Sequence, residues 1–127
     1  MTDGFLLDSN ICIYMLKGES SWLRQRVVAQ PEGSLFISSV SLAELSVGYG
    51  GRILEAPGIV AMLEAITVLP FDTHAAAVYG ALPFKRARFD RLIAAHALAL
   101  GLTLVTNNGA DFADIPGLRV ENWTLPL

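Results

Sequence analysis

Four acidic residues, Asp8, Glu44, Asp90 and Asp111, each stand where an apolar run stops or a helix is expected to start. In an open α/β sheet, chemistry collects beyond the carboxyl ends of the strands, so acids arriving there from distant segments can converge on one pocket. Carboxylates crowded together without a cation must in part take up protons. A hard divalent ion lets all of them stay ionised and adds a water-activating centre. Metal binding is therefore the chemistry expected of this set.

Each acid could also fill a purely structural role. Asp8 and Asp90 suit helix N-caps, Glu44 completes a capping box with Ser41, and Asp111 follows an Asn-Asn-Gly turn. Asp72 also follows an apolar run and starts a helix, and it is assigned to capping because no second polar group near it is aimed at a pocket. The other four keep different company: Ser9 and Asn10 beside Asp8, several serines before Glu44, and Thr106, Asn107 and Asn108 before Asp111. Such oxygens can orient ligands or hold water on a metal.

The elements that must position these acids alternate between strand and helix. Phe5–Leu7 reads as a strand, Ile11 to Gly18 as a helix, Trp22–Gln30 as a second helix capped by Ser20 or Ser21, and Leu35–Ile37 as a second strand. A helix through Leu42, Leu45 and Tyr49 follows, loosened by Gly48, Gly50 and Gly51. The Pro57-Gly58 breaker precedes a helix over 59–66, a brief strand at Val68-Leu69, and a helix from Asp72 through Leu82. Asp90 opens the strongest helical segment, to Leu100. Leu102–Thr106 and Leu118–Val120 are the last strands expected. The pattern predicts one domain over 1–127: a three-layer α/β/α fold around a short parallel sheet of four to five strands.

Composition narrows the setting. A chain of 127 residues can bury a core without disulfides, and its lone Cys12 cannot form an internal one. Hydrophobic residues make up 53% and charged residues 17%, and mean hydropathy is +0.48; this apolar excess points to a rich core or to an interface in a homodimer or with a partner protein. No leader-like segment opens the chain, so a cytoplasmic location is expected. The uncharged stretch from Leu92 to Ala110 nears the length of a membrane span, but Gly101 and Asn107-Asn108-Gly109 break it into helix, turn and strand, and no membrane role is expected.

Net charge is −3, which by itself does not suggest a nucleic-acid binder. Yet Lys85, Arg86, Arg88 and Arg91, four of nine basic residues, crowd around Asp90. A basic patch beside an acidic pocket can hold phosphates while the pocket holds metal, and these four are the candidates to bind nucleic-acid phosphates; a solvated helix start is the plain alternative.

The chain resembles the PIN-domain family, and within it the VapC-like ribonuclease toxins of bacterial toxin–antitoxin pairs. The resemblance covers most of the chain. It is carried by Leu-Leu-Asp8-Ser-Asn10-Ile-Cys-Ile-Tyr14, Ser38-Ser-Val-Ser-Leu-Ala-Glu44-Leu, Leu69-Pro-Phe-Asp72, Phe89-Asp90-Arg-Leu-Ile-Ala-Ala-His96-Ala, Val105-Thr-Asn-Asn-Gly-Ala-Asp111-Phe and the ending Gly117-Leu-Arg-Val-Glu-Asn-Trp123. It implies a metal-dependent endoribonuclease in which Asp8, Glu44 and Asp90 hold Mg²⁺ or Mn²⁺. Asp111 is implied as a fourth acid, reaching metal directly or through water held by Asn108, with Ser9, Asn10 and Thr106 supporting the ligands. The implied substrate is RNA of the tRNA or rRNA class. The implied partner is a VapB-like antitoxin, in a heterooligomer, that docks over the groove and offers an arginine to the acids, with Ile11, Tyr14, Met15 and Trp22 as facing candidates. The connection from Tyr79-Gly80 to Asp90 is shorter than in many members.

Other readings stay open on the residues alone. An aspartyl-nucleophile phosphatase would use Asp8 covalently, but Asn10 stands where its second Asp is wanted. A receiver-like Mg²⁺-binding module would leave Glu44 surplus, and a plain interaction domain needs only capped helices. Cys12 and His96 sit among apolar residues as buried core groups would, and His74 and His96 make no zinc-type pair.

Overall fold

The computed structural model describes residues 4–83 and 89–126. Five strands form one parallel sheet: β1 (Phe5–Leu7), β2 (Leu35–Ser38), β3 (Thr67–Leu69), β4 (Thr103–Val105) and β5 (Val120–Glu121), in the order β3-β2-β1-β4-β5. The helices among the described residues are α1 (Ser9–Lys17), α2 (Ser21–Ala29), α3 (Ser39–Ser46), α4 (Pro57–Ala65), α5 (Thr73–Ala81) and α6 (Phe89–Leu100).

The strands are apolar because both sheet faces are covered. Successive residues of a strand point to opposite faces. Leu7 and Val105 therefore join Ile11, Cys12, Leu23, Ile59 and Trp123 in one core cluster, while Leu6 and Leu104 join Ile93, Ala94, Ala97, Phe112 and Ile115 in the other. Helices α1, α2 and α4 cover the first face; α6 covers the second, with α5 packed against it. The expected three-layer α/β/α architecture is the one observed.

Two local expectations change. Pro57-Gly58 does not break the chain but opens α4, since a proline in the first turn has no N–H whose loss matters there. The last strand begins at Val120 rather than Leu118, because Leu118 N–H donates back to Ile115 O (3.5 Å) in a turn and the pairing with β4 starts only afterwards. The uncharged run divides as expected at Gly101, whose φ of 68° ends α6, and no helix among the described residues is long and apolar enough to cross a membrane.

Topology fixes where a site can form. From β1 the chain moves outward to β2 and β3, then crosses back to lay β4 against the other edge of β1. The direction of winding reverses at the β1–β4 boundary, which opens a crevice beyond those two carboxyl ends. Leu7 is paired with Val105 there, so Asp8 and Thr106 leave the sheet side by side. Gly4 lets β1 sit this close to its neighbours: a Cβ at that position would stand 2.7 Å from the Phe36 ring and 3.1 Å from Ser34 O.

Candidate metal centre

Asp8 is held from both sides of the crevice. Its backbone N–H donates to Val105 O on β4 (3.0 Å), and its Oδ1 accepts from Ile11 N–H (2.9 Å) as the N-cap of α1. The Thr106 hydroxyl also donates to the carboxylate. Asp8 is only 6% exposed. Burial pushes its carboxyl above the ordinary range, the negative charges of Glu44 and Asp90 add to the rise, and the two hydrogen bonds partly offset it.

Glu44 reaches the same place from α3. The capping-box reading of Ser41 with Glu44 is not what forms: Ser38 is the N-cap, accepting from Val40 N–H (3.0 Å), and Ser41 Oγ is buried without a hydrogen-bond partner. Glu44 Oε1 instead accepts from Ser9 Oγ across the groove (2.5 Å), which ties α3 to the first turn of α1.

Asp90 lies inside the first turn of α6, as the second residue of the helix rather than its cap. Its Oδ1 is buried and has no hydrogen-bond partner among the described residues. An unpartnered, buried carboxylate oxygen is costly, so the capping reading explains neither its position nor its state.

Asp8, Glu44 and Asp90 line one cavity of about 340 Å³ together with Ser9, Asn10, Phe89 and Ile93. Among the described residues no Lys or Arg forms an ion pair with any of the three. The donors are all oxygens, as a hard cation requires, and Asp90 Oδ1 lacks the partner that a cation would be. The described residues contain no group of three acids, histidines or cysteines gathered tightly enough to cage an ion. The carboxylates nonetheless face one another across the cavity and raise the Asp8 proton affinity. An all-oxygen set suits a hard divalent cation, which keeps waters between itself and some of its carboxylates.

The fourth acid stands apart. Asp111 sits in the 3₁₀ turn Gly109–Phe112, takes a hydrogen bond from Asn108 Nδ2 at 2.5 Å, and does not line the cavity; nor does Asn108. Thr106 Oγ1 accepts from Asn108 N–H (3.1 Å), so this turn is linked to the Asp8 carboxylate through one hydroxyl.

Arg91 overturns its reading as an RNA contact. It is 4% exposed and its Nη1 and Nη2 groups donate four hydrogen bonds inside the protein, which turns them away from any phosphate at the surface. Lys85, Arg86 and Arg88 lie outside the described residues. Of the surface positions expected to meet a partner, Ile11 is wholly buried in the core, because the N-cap at Asp8 turns this first-turn side chain onto the sheet. Tyr14 and Met15 are half-buried against the same core, Tyr14 Oη accepts from Asn107 Nδ2 (3.0 Å), and Trp22 is exposed. The apolar groove beside the acids is lined instead by Ile13, Leu16, Leu45 and Tyr49, with Ser9, Asn10 and Glu44 shared between it and the acidic cavity.

The remaining titratable core groups are structural. Cys12 is buried and its thiol is pushed up to about 12 by burial and by Asp8. His96 Nδ1 lies 2.9 Å from Ser38 Oγ with Phe71 edge-on to the ring, and burial lowers its pKa. Sequence reasoning missed the wall residues Phe89 and Ile93 and the carboxylate of Asp114, which pairs with Arg91 from far along the chain. Asp114 carried no signal, whereas the apolar face of α6 could have placed Ile93.

Comparisons with known proteins place the fold in a family. The PIN domain family model matches residues 5–118. The chain is 37% identical to the tRNA(fMet)-specific endonuclease VapC of Shigella flexneri over 132 residues, covering 94% of this chain and 98% of that protein. It is 34% identical to ribonuclease VapC2 of Haemophilus influenzae, with 94% and 97% covered. Among solved structures, VapBC2 from Rickettsia felis bound to a promoter DNA fragment superposes with a TM-score of 0.79 at 28% identity, covering 94% of this chain and 98% of that one. The family model spans nearly all the elements that carry the cavity, and the chain belongs to the PIN-domain family, in its VapC-like branch.

Proposed function

We propose that this chain is an endoribonuclease that hydrolyses RNA phosphodiesters with a divalent cation, Mg²⁺ or Mn²⁺, held by Asp8, Glu44 and Asp90. It acts as the toxin of a toxin–antitoxin pair in the cytoplasm. The observation that carries the reading is the meeting of three carboxylates in one cavity at the β1–β4 crevice, with Asp90 Oδ1 buried and unpartnered. A cation bound there supplies water activation and neutralises charge gathering on the phosphodiester. The chain's own residues do the positioning: Thr106 and Ile11 N–H aim Asp8, and Ser9 holds Glu44. Phe89, exposed at the cavity wall, offers a face on which a base can stack. No side chain serves as nucleophile.

The named relatives support tRNA as the substrate class and a VapB-like antitoxin as the partner. The apolar groove of Ile13, Leu16, Leu45 and Tyr49 suits an antitoxin segment whose apolar side chains fill it while a basic residue reaches the shared Glu44. Incubating the purified chain with structured RNA and Mg²⁺ or Mn²⁺, with and without chelator and beside Asp8→Asn, tests the reading. Cleavage that requires metal and is lost in the variant is expected; cleavage insensitive to chelator or to the substitution overturns it.

A further inference from the structure

Arg91 makes four hydrogen bonds that join α6 to Pro83 and to the turn that carries Asp111 and Asp114. Nη1 donates to Asp114 Oδ1 (3.0 Å) and to the carbonyl oxygen of Asp111 (3.2 Å), and Nη2 donates to Asp114 Oδ2 (3.0 Å) and to the carbonyl oxygen of Pro83 (3.0 Å). The pairing with Asp114 is two-pronged, a geometry that the planar guanidinium supports and an ammonium does not. Arg91 is itself buried, whereas the Asp114 side chain is 28% exposed, so the knot closes at the edge of the protein and points inward.

Its place in the chain gives the knot a consequence. Arg91 follows Asp90 directly in the first turn of α6, and one of its acceptors is the backbone of Asp111. The two acids come from segments 21 residues apart, and the Arg91 side chain bonds one segment to the other. Pro83, a further acceptor, lies two residues beyond the end of α5.

We propose that Arg91 is a positioning residue: through Asp114 and the Asp111 carbonyl it holds the 109–114 turn, with Asp111 and Asn108, in register with Asp90. The inference rests on the reading of Asp90 as a metal-holding acid. The fork at Arg91 thereby sets how closely the fourth acid approaches the cavity, without touching metal or RNA. A buried arginine that only glued the fold would need no such relation to the acids on either side of it.

The test is a double-mutant cycle on the full chain with Arg91→Lys, Asp111→Asn and both together, reading Mn²⁺ affinity by calorimetry and kcat for RNA cleavage. Arg91→Lys keeps the charge and loses the fork, and Asp114→Asn is the milder variant should the lysine form fold poorly; thermal melts establish folding. Arg91→Lys and Asp111→Asn are each expected to weaken Mn²⁺ binding by about tenfold, as supporting groups around a metal do. The double variant is expected to match Asp111→Asn alone within about twofold, because both changes act through one turn. Multiplying effects, or unchanged Mn²⁺ affinity in folded Arg91→Lys and Asp114→Asn, overturn the proposal. If no variant or wild-type protein cleaves RNA while the Mn²⁺ cycle behaves as expected, the nuclease reading fails and the positioning role stands.

Discussion

Two groups of buried charge lie at the same end of the sheet and are treated in opposite ways. Around Arg91 every charge is answered: a two-pronged carboxylate and two carbonyl oxygens surround one guanidinium. Around Asp8, Glu44 and Asp90 negative charge accumulates with no ion pair among the described residues to balance it, and among those residues one carboxylate oxygen has no hydrogen-bond partner. A satisfied buried pair holds the fold together, whereas an unsatisfied acidic cavity lowers stability and persists because something else binds there. The contrast separates the residues that build this site from those that use it.

The largest contrast is expected in activity. Asp90→Asn removes charge and leaves shape, and it should lower metal-dependent RNA cleavage about 1,000-fold, roughly 4 kcal/mol of barrier, while the thermal melt stays near that of the wild type. Next comes Asp114→Ala, which strands the Arg91 cation inside the protein. Chemical denaturation should show a loss of about 3 kcal/mol, at the low end for a broken buried pair because Asp114 is partly exposed. An unchanged midpoint would make the knot ornamental. Asp8→Asn should go the other way: without metal it removes a carboxyl from a buried site beside two other acids and keeps the N-cap acceptor, raising stability by about 1 kcal/mol. Lower stability in that variant would mean that the carboxylate is structurally satisfied after all.

The smallest effect is a pH slope. His96 is buried, which depresses its folded pKa below the unfolded value near 6.5. The unfolded chain then binds more protons, so the contribution of His96 is present above about pH 6.5 and is lost as pH falls through the depressed value. Urea midpoints between pH 7.5 and 5 should fall more steeply for the wild type than for His96→Gln, and parallel slopes would assign the acid sensitivity elsewhere.

The difference between the two charged regions also explains what could be read from the residues in advance. Asp8 and Asp90 were recognisable because one follows a strand and the other opens a helix, and a parallel sheet carries such positions to one end whatever its details; Glu44, the sixth residue of α3, was legible only through the motif around it. Asp72 shows the limit of that reasoning, since it has the same local setting and is in fact only a cap, accepting from Ala75 N–H at 2.9 Å. The Arg91 knot was not foreseeable. A basic residue in a basic stretch reads as a surface group, and its burial depends on Asp114 and Pro83 being brought to it by the packing of α6 against a turn. Ile11 failed for a related reason: its apolar side chain suits a surface or a core equally, and the turn at Asp8 alone decides which. The strand at the carboxyl end was placed two residues early because its start is set by pairing with β4, a tertiary event.

The most direct test is a calorimetric titration of Mn²⁺ into the metal-free chain and into Asp90→Asn, Asp8→Asn and Asp72→Asn. Saturable binding in the wild type and in Asp72→Asn, lost or weakened at least about tenfold in the Asp90 and Asp8 variants, is the predicted result. The same isotherm in all four proteins, or no saturable binding in any, would contradict the assignment of this cavity as a metal centre.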